Sequence, residues 1–305
     1  VRSSRPEERP RSFAPPLYLW CAVAATLAVL FLASLPAFNR FNAVDRTFFE
    51  SSVRRLDTFR ERAGGDVKSL KVLAIGSSLM GRAVYFDEQM EALAERRGFP
   101  NLVFVRITRS GADISNFTPL LSHMAQAAPD IILVESDSVF YNRHKIKNVF
   151  LREYIIFLRA LLMANLKSGP TLPEPRVYEN EFDLAWADKS FARPGKSLLD
   201  RAVLDWNEMG FTGRVKIERF FSEAAKTGAR VVVVDIPRNP EFLARIQRQE
   251  TNVDKQRLED DYGVRSIMFD GEHRPELYSD YAHLNEKGRS VFSDWLIEKL
   301  KGGRL

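Results

Sequence analysis

A serine placed at the end of an apolar run and a histidine three residues after an aspartate are the residue types that carry out nucleophilic acyl chemistry. The first stands in Val72-Leu73-Ala74-Ile75-Gly76-Ser77-Ser78-Leu79, and the second, near the other end of the chain, in Ser279-Asp280-Tyr281-Ala282-His283-Leu284-Asn285. A hydroxyl becomes a competent nucleophile when an imidazole accepts its proton and a carboxylate orients and stabilises the imidazolium that forms. Asp280 can serve His283 in this way if the loop between them turns back. Each stretch also has a plainer reading. Ser77 or Ser78 can cap a following helix, a lone histidine is more often structural than catalytic, and Gly111 in Thr108-Arg109-Ser110-Gly111 can be an ordinary turn glycine.

Chemistry at these positions requires elements that bring them to one edge. Short apolar runs at Val72–Ile75, Leu102–Ile107, Ile131–Val134, Val231–Ile236 and Ile267–Phe269 have the pattern of buried strands. Between and after them, Asp87–Arg97, Ile114–Ala127, Lys216–Lys226 and Asn285–Leu300 have helical spacing, and Gly228 closes the third of these. Strands alternating with helices predict a mostly parallel sheet covered on both faces. Such sheets bind ligands at the carboxyl ends of their strands, which is where the serine pair falls.

With these blocks in place the chain resembles the SGNH (GDSL-type) hydrolase superfamily over about residues 70–300. Gly76-Ser77-Ser78 is similar to the family's Gly-Asp-Ser block after the first strand, with Ser77 in place of the aspartate. The Ser-Ser form resembles members that move acyl groups in the cell envelope. Asp280 and His283 match the Asp-x-x-His block before the last helix. The resemblance implies a flavodoxin-like three-layer α/β/α fold, with Ser78 as nucleophile, His283 as general base and Asp280 as orienting acid. It also implies an oxyanion hole formed by Ser78 and Gly111. The family's third block, Gly-x-Asn-Asp, is altered here to Glu135-Ser136-Asp137-Ser138-Val139. Val139 falls where the oxyanion asparagine belongs, and Asn142 is the nearby candidate to replace it. One missing oxyanion donor costs roughly 10²–10³ in rate.

The remainder of the chain concerns location and partners. Leu17–Phe38 is uncharged, with Tyr18 and Trp20 at one end, and at 22 residues it exceeds the ~20 needed to cross a bilayer. It reads as a transmembrane signal anchor rather than a cleaved signal, whose apolar region is shorter. Arginines lie on both sides of it, so charge does not orient it. A single amino-terminal anchor is a common export device, and the domain is expected on the extracytoplasmic, periplasmic side. Residues 1–16 form a tail, 39–69 a helical stalk or covering helix, and 70–305 the α/β domain. An insertion at about 140–213 interrupts the alternation. It holds an apolar helix at Phe150–Asn165, interrupted by Arg152, Glu153 and Arg159, then aromatic loop material (Tyr178, Phe182, Trp186, Phe191). It reads as a cover or lid over the active face.

The arginine-rich tail carries +2 of the net charge of +5, and a residual charge this small does not point to nucleic acid. The single cysteine, Cys21, lies within the apolar run and excludes an internal disulfide. There is no metal-ligand spacing and no nucleotide fingerprint, so no cofactor or metal is expected. His123 reads as structural, and His273 has a weaker context than His283. The basic stretch Tyr141–Lys147 reads as a solvated loop. The expected activity is an esterase or O-acyltransferase on an acylated carbohydrate or other ester. The alternatives are a non-catalytic partner of a membrane acyltransferase or polysaccharide synthesis complex, and a lipid esterase with the apolar helix as its lid.

Overall fold

The computed structural model describes residues 16–64, 69–142, 149–169, 171–176, 178, 196–207, 210–246 and 255–303. The strands are β1 (Leu70–Gly76), β2 (Leu102–Thr108), β3 (Ile131–Glu135), β4 (Tyr141–Asn142), β5 (Gly210–Phe211), β6 (Arg230–Asp235) and β7 (Arg265–Met268). Before β2 come α1 (Leu17–Phe41), α2 (Val44–Ala63), α3 (Ser78–Ala83) and α4 (Asp87–Arg96). Then follow α5 (Ile114–Phe117), α6 (Leu121–Ala127), α7 (Ser136–Phe140), α8 (Val149–Ser168), α9 (Lys196–Asn207), α10 (Arg214–Ala225), α11 (Pro240–Leu243), α12 (Lys255–Tyr262) and α13 (Glu286–Lys301).

Five strands make one parallel sheet in the order β2-β1-β3-β6-β7. This is the flavodoxin-like order, and its reversal between β1 and β3 opens a crevice at the carboxyl ends of those strands. Side chains alternate strictly between two cores, as a two-residue period requires. Val72 and Ala74 join Phe104, Leu133 and Val232 beneath α3, α4 and α13, where Met80, Met90, Phe292 and Leu296 pack. Leu73 and Ile75 join Val105, Ile132 and Val233 on the opposite face, against Phe48, Leu56 and Phe59 of α2, Met124 of α6 and Phe220 of α10. The result is a three-layer α/β/α fold. In it α2 is a covering helix whose apolar side is part of the main core.

Two local features differ from the sequence pattern. The helical spacing over Ile114–Ala127 is broken into α5, a 3₁₀ turn at Thr118–Leu120 and α6. Pro119 lies in that turn and has no N–H to donate to a continuous α-helix. The free edge of β2 is satisfied by side chains instead of a further strand. Asp87 accepts the Arg106 N–H and Glu91 accepts the Phe104 N–H, which blunts an edge otherwise open to pairing.

A second compact unit consists of residues up to Ala43 together with Phe150–Arg176. Its two helices, α1 and α8, pack through Phe38, Phe41 and Phe157. In α1 the 18-residue window of highest apolarity has a mean hydropathy of 2.2 and is 6% buried. Of the aromatic residues that follow α8, Tyr178 donates its hydroxyl to the Thr108 carbonyl and sets its ring edge-on to Phe48. Phe182, Trp186 and Phe191 lie outside the described residues, as do residues 1–15 of the tail and Arg143–Lys147.

Candidate active site

The serine corner is built where β1 ends. Ser77 is the N-cap of α3 and its hydroxyl oxygen accepts the Leu79 N–H. Ser78 is thereby the first helical residue, with its side chain at the sheet's carboxyl edge. The corner is clasped from below by Glu135, the last residue of β3, which is fully buried. Its carboxylate accepts the Ser77 N–H at 2.6 Å, the Ser77 hydroxyl at 2.6 Å and the Met80 N–H at 3.0 Å. Gly76 is required for this approach, because a Cβ there would lie 2.6 Å from Glu135 Oε2. On the far side of α3, the buried Arg106 guanidinium donates to the Gly81 and Val84 carbonyls, satisfying the end of the helix.

The second half of the site is the loop from Tyr278 to Asn285. Its ends are zipped by the Tyr278–Leu284 bridge and by the Ser279 N–H donating to the His283 carbonyl. Asn285 caps α13 by accepting the Gly288 N–H, and its amide donates to the Glu276 and Tyr278 carbonyls. Gly288 is held to a hydrogen atom by packing, since a Cβ would stand 2.1 Å from the Leu277 carbonyl oxygen. Within this frame Asp280 Oδ1 accepts the backbone N–H groups of Ala282 and His283, each at 2.8 Å. The carboxylate is thus turned back toward the imidazole.

The two halves meet in a continuous relay. Ser78 Oγ lies 2.9 Å from His283 Nε2, and His283 Nδ1 lies 2.8 Å from Asp280 Oδ2. With Asp280 accepting at Nδ1, Nε2 faces the serine hydroxyl as acceptor. Burial lowers the His283 pKa from its ordinary value. Asp280 opposes that shift, while the cations Arg82 and Arg238 add to it. The net shift favours the neutral imidazole, the state a base needs. Burial alone would raise Asp280, but the His283 contact and the two backbone donors outweigh it and hold the carboxyl at about 2.

Two arginines flank the relay. Arg82, on α3 and nearly buried, reaches Asp280 Oδ2 at 3.4 Å. Arg238 follows β6 and is ion-paired with Asp137. Its guanidinium lies over the Trp206 ring at 4.2 Å, and burial brings its pKa down to about 10 against the opposing charges of Glu135 and Asp280. The neighbouring Asn239 N–H donates to the carbonyl of Tyr281, the residue between Asp280 and Ala282. Beside this arginine is a cavity of about 440 Å³, lined in part by Ser136, Asp137, Tyr141, Arg238 and His273.

The oxyanion candidates are placed less completely. Gly111 lies in the turn after β2 with φ of 68°. That turn is tied to β1 by the Arg109 N–H donating to the Gly76 carbonyl. Val139 points into the core and is fully buried, so it presents nothing to the crevice. Asn142 pairs with Gly210 in the short β4–β5 ladder, and its side chain lies outside the described residues. His123 packs edge-on to Phe49, and His273 packs on Phe269. Among the described residues no group of three His, Cys, Asp or Glu side chains is arranged to hold a metal ion.

Glu135, Arg82 and Arg238 escaped the sequence reading. A signal for Glu135 was present, because a carboxylate closing the apolar run Ile131-Ile132-Leu133-Val134 ends a buried strand at the ligand edge. The two arginines carried none.

No family model and no curated protein matches the chain. Solved structures do. The esterase EstA from Pseudoalteromonas sp. is similar at 13% identity with a TM-score of 0.38, over 77% of this chain and 98% of that one. The acetyl xylan esterase AlAXEase is similar at 11% identity and a TM-score of 0.36, over 77% and 100%. A family two carbohydrate esterase from Clostridium thermocellum, solved with cellohexaose, is similar at 10% identity and a TM-score of 0.36, over 79% and 67%.

Proposed function

We propose that this protein is a serine-dependent acyl-ester hydrolase or O-acyltransferase. Its substrates are acyl groups, acetyl above all, on extracellular or cell-envelope polysaccharide. The observation that supports this most directly is the relay Ser78 Oγ, His283 Nε2, His283 Nδ1 and Asp280 Oδ2, with contacts of 2.9 and 2.8 Å and an imidazole kept neutral by burial. Ser78 Oγ attacks the ester carbonyl as its proton passes to His283, and Asp280 stabilises the imidazolium. The tetrahedral oxyanion is received by the N–H groups of Ser78 and Gly111, with Asn142 as the candidate third donor. His283 then returns the proton to the leaving alcohol. Water as the second acceptor completes hydrolysis, and a sugar hydroxyl completes transfer. In this reading α1 is a single-pass anchor and the α/β unit lies on the extracytoplasmic side.

The test is covalent labelling by a fluorophosphonate, together with hydrolysis of an aryl acetate, using the full chain and Ser78→Ala. Labelling and turnover that vanish in the variant support the reading. A folded chain that neither labels nor turns over the acetate would replace it with a non-catalytic partner of a membrane acyltransferase. Preference for long-chain over acetyl esters would replace it with a lipid esterase.

A further inference from the structure

Helix α8 has two apolar faces, and among the described residues only one is used. On the inner face Phe157 is fully buried and packs on Phe38 and Phe41 of α1, with ring centroids 5.8 and 5.6 Å apart. The Tyr154 hydroxyl meets Ser34 Oγ at 2.6 Å. The Glu153–Arg176 ion pair and the Arg176 N–H donating to the Phe41 carbonyl tie the chain beyond α8 back to the end of α1. On the outer face Leu151, Ile155, Leu158, Leu162 and Leu166 recur at spacings of four, three, four and four, which stacks them in one stripe. All five are exposed, Leu162 by 60% and Leu166 by 71%. Scattered apolar residues on a wet surface need no explanation, whereas a continuous aliphatic stripe does.

The helix beneath supplies the context. α1 exposes its own aliphatic residues, among them Leu27, Leu30 and Leu32, and belongs to the same compact unit as α8. The contacts to α8 begin at Phe31 and Ser34 and continue to Phe41, so they lie along the last turns of α1, where a spanning helix leaves the hydrocarbon. We propose that α8 is a second lipid-contacting helix. It lies in the membrane interface against these last turns, with the Leu151–Leu166 stripe buried among acyl chains. This rests on reading α1 as a membrane anchor. The charge pattern suits an interfacial position better than a spanning one. Arg159 borders the stripe and Lys167 closes it, and both can extend to lipid phosphates while their stems stay apolar.

The sole cysteine provides the control. Cys21 is exposed on α1, so a fluorophore attached there reports the anchor. Cys21→Ser combined with Leu162→Cys, and separately with Leu158→Cys, reports α8. The full chain is reconstituted in phosphatidylcholine–phosphatidylglycerol vesicles, with circular dichroism to verify that each variant folds. The expected result is a blue shift at all three positions, quenching by nitroxide-bearing lipid and loss of quenching by aqueous iodide. A lipid-shielded Cys21 with iodide-quenched labels at 158 and 162 would overturn the proposal and leave the anchor standing. Labels at all three positions in water would overturn both. Labels on α8 that are shielded from iodide and also untouched by lipid nitroxide would mean that protein, a second copy or a partner, covers the stripe, and would equally overturn it.

Discussion

The two halves of the candidate site are held in different ways. The serine corner is fixed from a distance. Glu135 lies far away in sequence, and its buried carboxylate takes three donors from Ser77 and Met80. The histidine loop is fixed by itself. Asp280 accepts N–H groups two and three residues ahead, and Ser279 pairs with the His283 carbonyl. A self-contained loop is legible as a local motif. The remote carboxylate that holds the serine corner is not, because the spacing between partners depends on how the sheet is ordered. The comparison also accounts for Ser77. Where the resembled family has an aspartate in its first block, this chain has a hydroxyl that donates to Glu135. An aspartate at that position would set two carboxylates against one another.

The largest expected effect tests whether the halves act as one unit. Ser78→Ala and His283→Ala should each lower kcat by roughly 10⁴–10⁶, and the double variant should be little worse than either. Additive losses would mean that the 2.9 Å contact between them is not used in the reaction. Asp280→Asn follows, at about 10⁴ in kcat, because an amide can hold the imidazole in the wrong tautomer. A loss confined to KM would argue that Asp280 only shapes the loop.

On the serine side the first readout is stability. Glu135→Ala leaves three buried donors without their acceptor and should cost about 3 kcal/mol or more, measured by denaturant unfolding. Ser77→Asp should cost more than Ser77→Ala in the native background, and most of the excess should disappear in Glu135→Gln. An excess that persists with glutamine would show that steric crowding, not like charge, excludes an aspartate there.

The same contrast explains how much of the molecule could be read from its sequence. The five sheet strands were legible, with ends differing by at most two residues, because each is a short apolar run with nothing to compete with it. The alternation of strands and helices predicts a parallel sheet but not its order, and the flavodoxin-like order β2-β1-β3-β6-β7 was an implication of the family resemblance alone. The residues Ser78, Asp280 and His283 stand out by type and local spacing. Arg82 and Arg238 do not, because their meaning lies in contacts with residues remote in sequence, and Glu135 is marked only by its place at the end of a buried strand. The inner face of α8 was hidden for the same reason. Its aliphatic and aromatic residues suggest burial somewhere, and only the fold shows that Phe157 meets Phe38 and Phe41.

The smallest expected effect concerns charge around the relay. His283 has its pKa lowered first by burial and then by Arg82 and Arg238, against the pull of Asp280. In the proposed mechanism its neutral form is the base, so kcat/KM should fall on acidification with an apparent pKa below the ordinary histidine value of about 6.5. Asp280 stays ionised through that range, because its folded-state value of about 2 lies below its ordinary 3.8. The stability that this depression contributes is present above pH 3.8 and is lost only as pH falls through about 2. The acid limb of the rate therefore belongs to His283 and not to Asp280. Arg82→Gln removes one of the two cations that disfavour the imidazolium, so the limb should move to higher pH while Ser78 still reacts with fluorophosphonate at pH 8. A limb that moved to lower pH would mean that the dominant role of Arg82 is to restrain Asp280 through the 3.4 Å contact. Its removal would then weaken the carboxylate's hold on His283, and the two halves of the site would be coupled through α3 as well as through the relay.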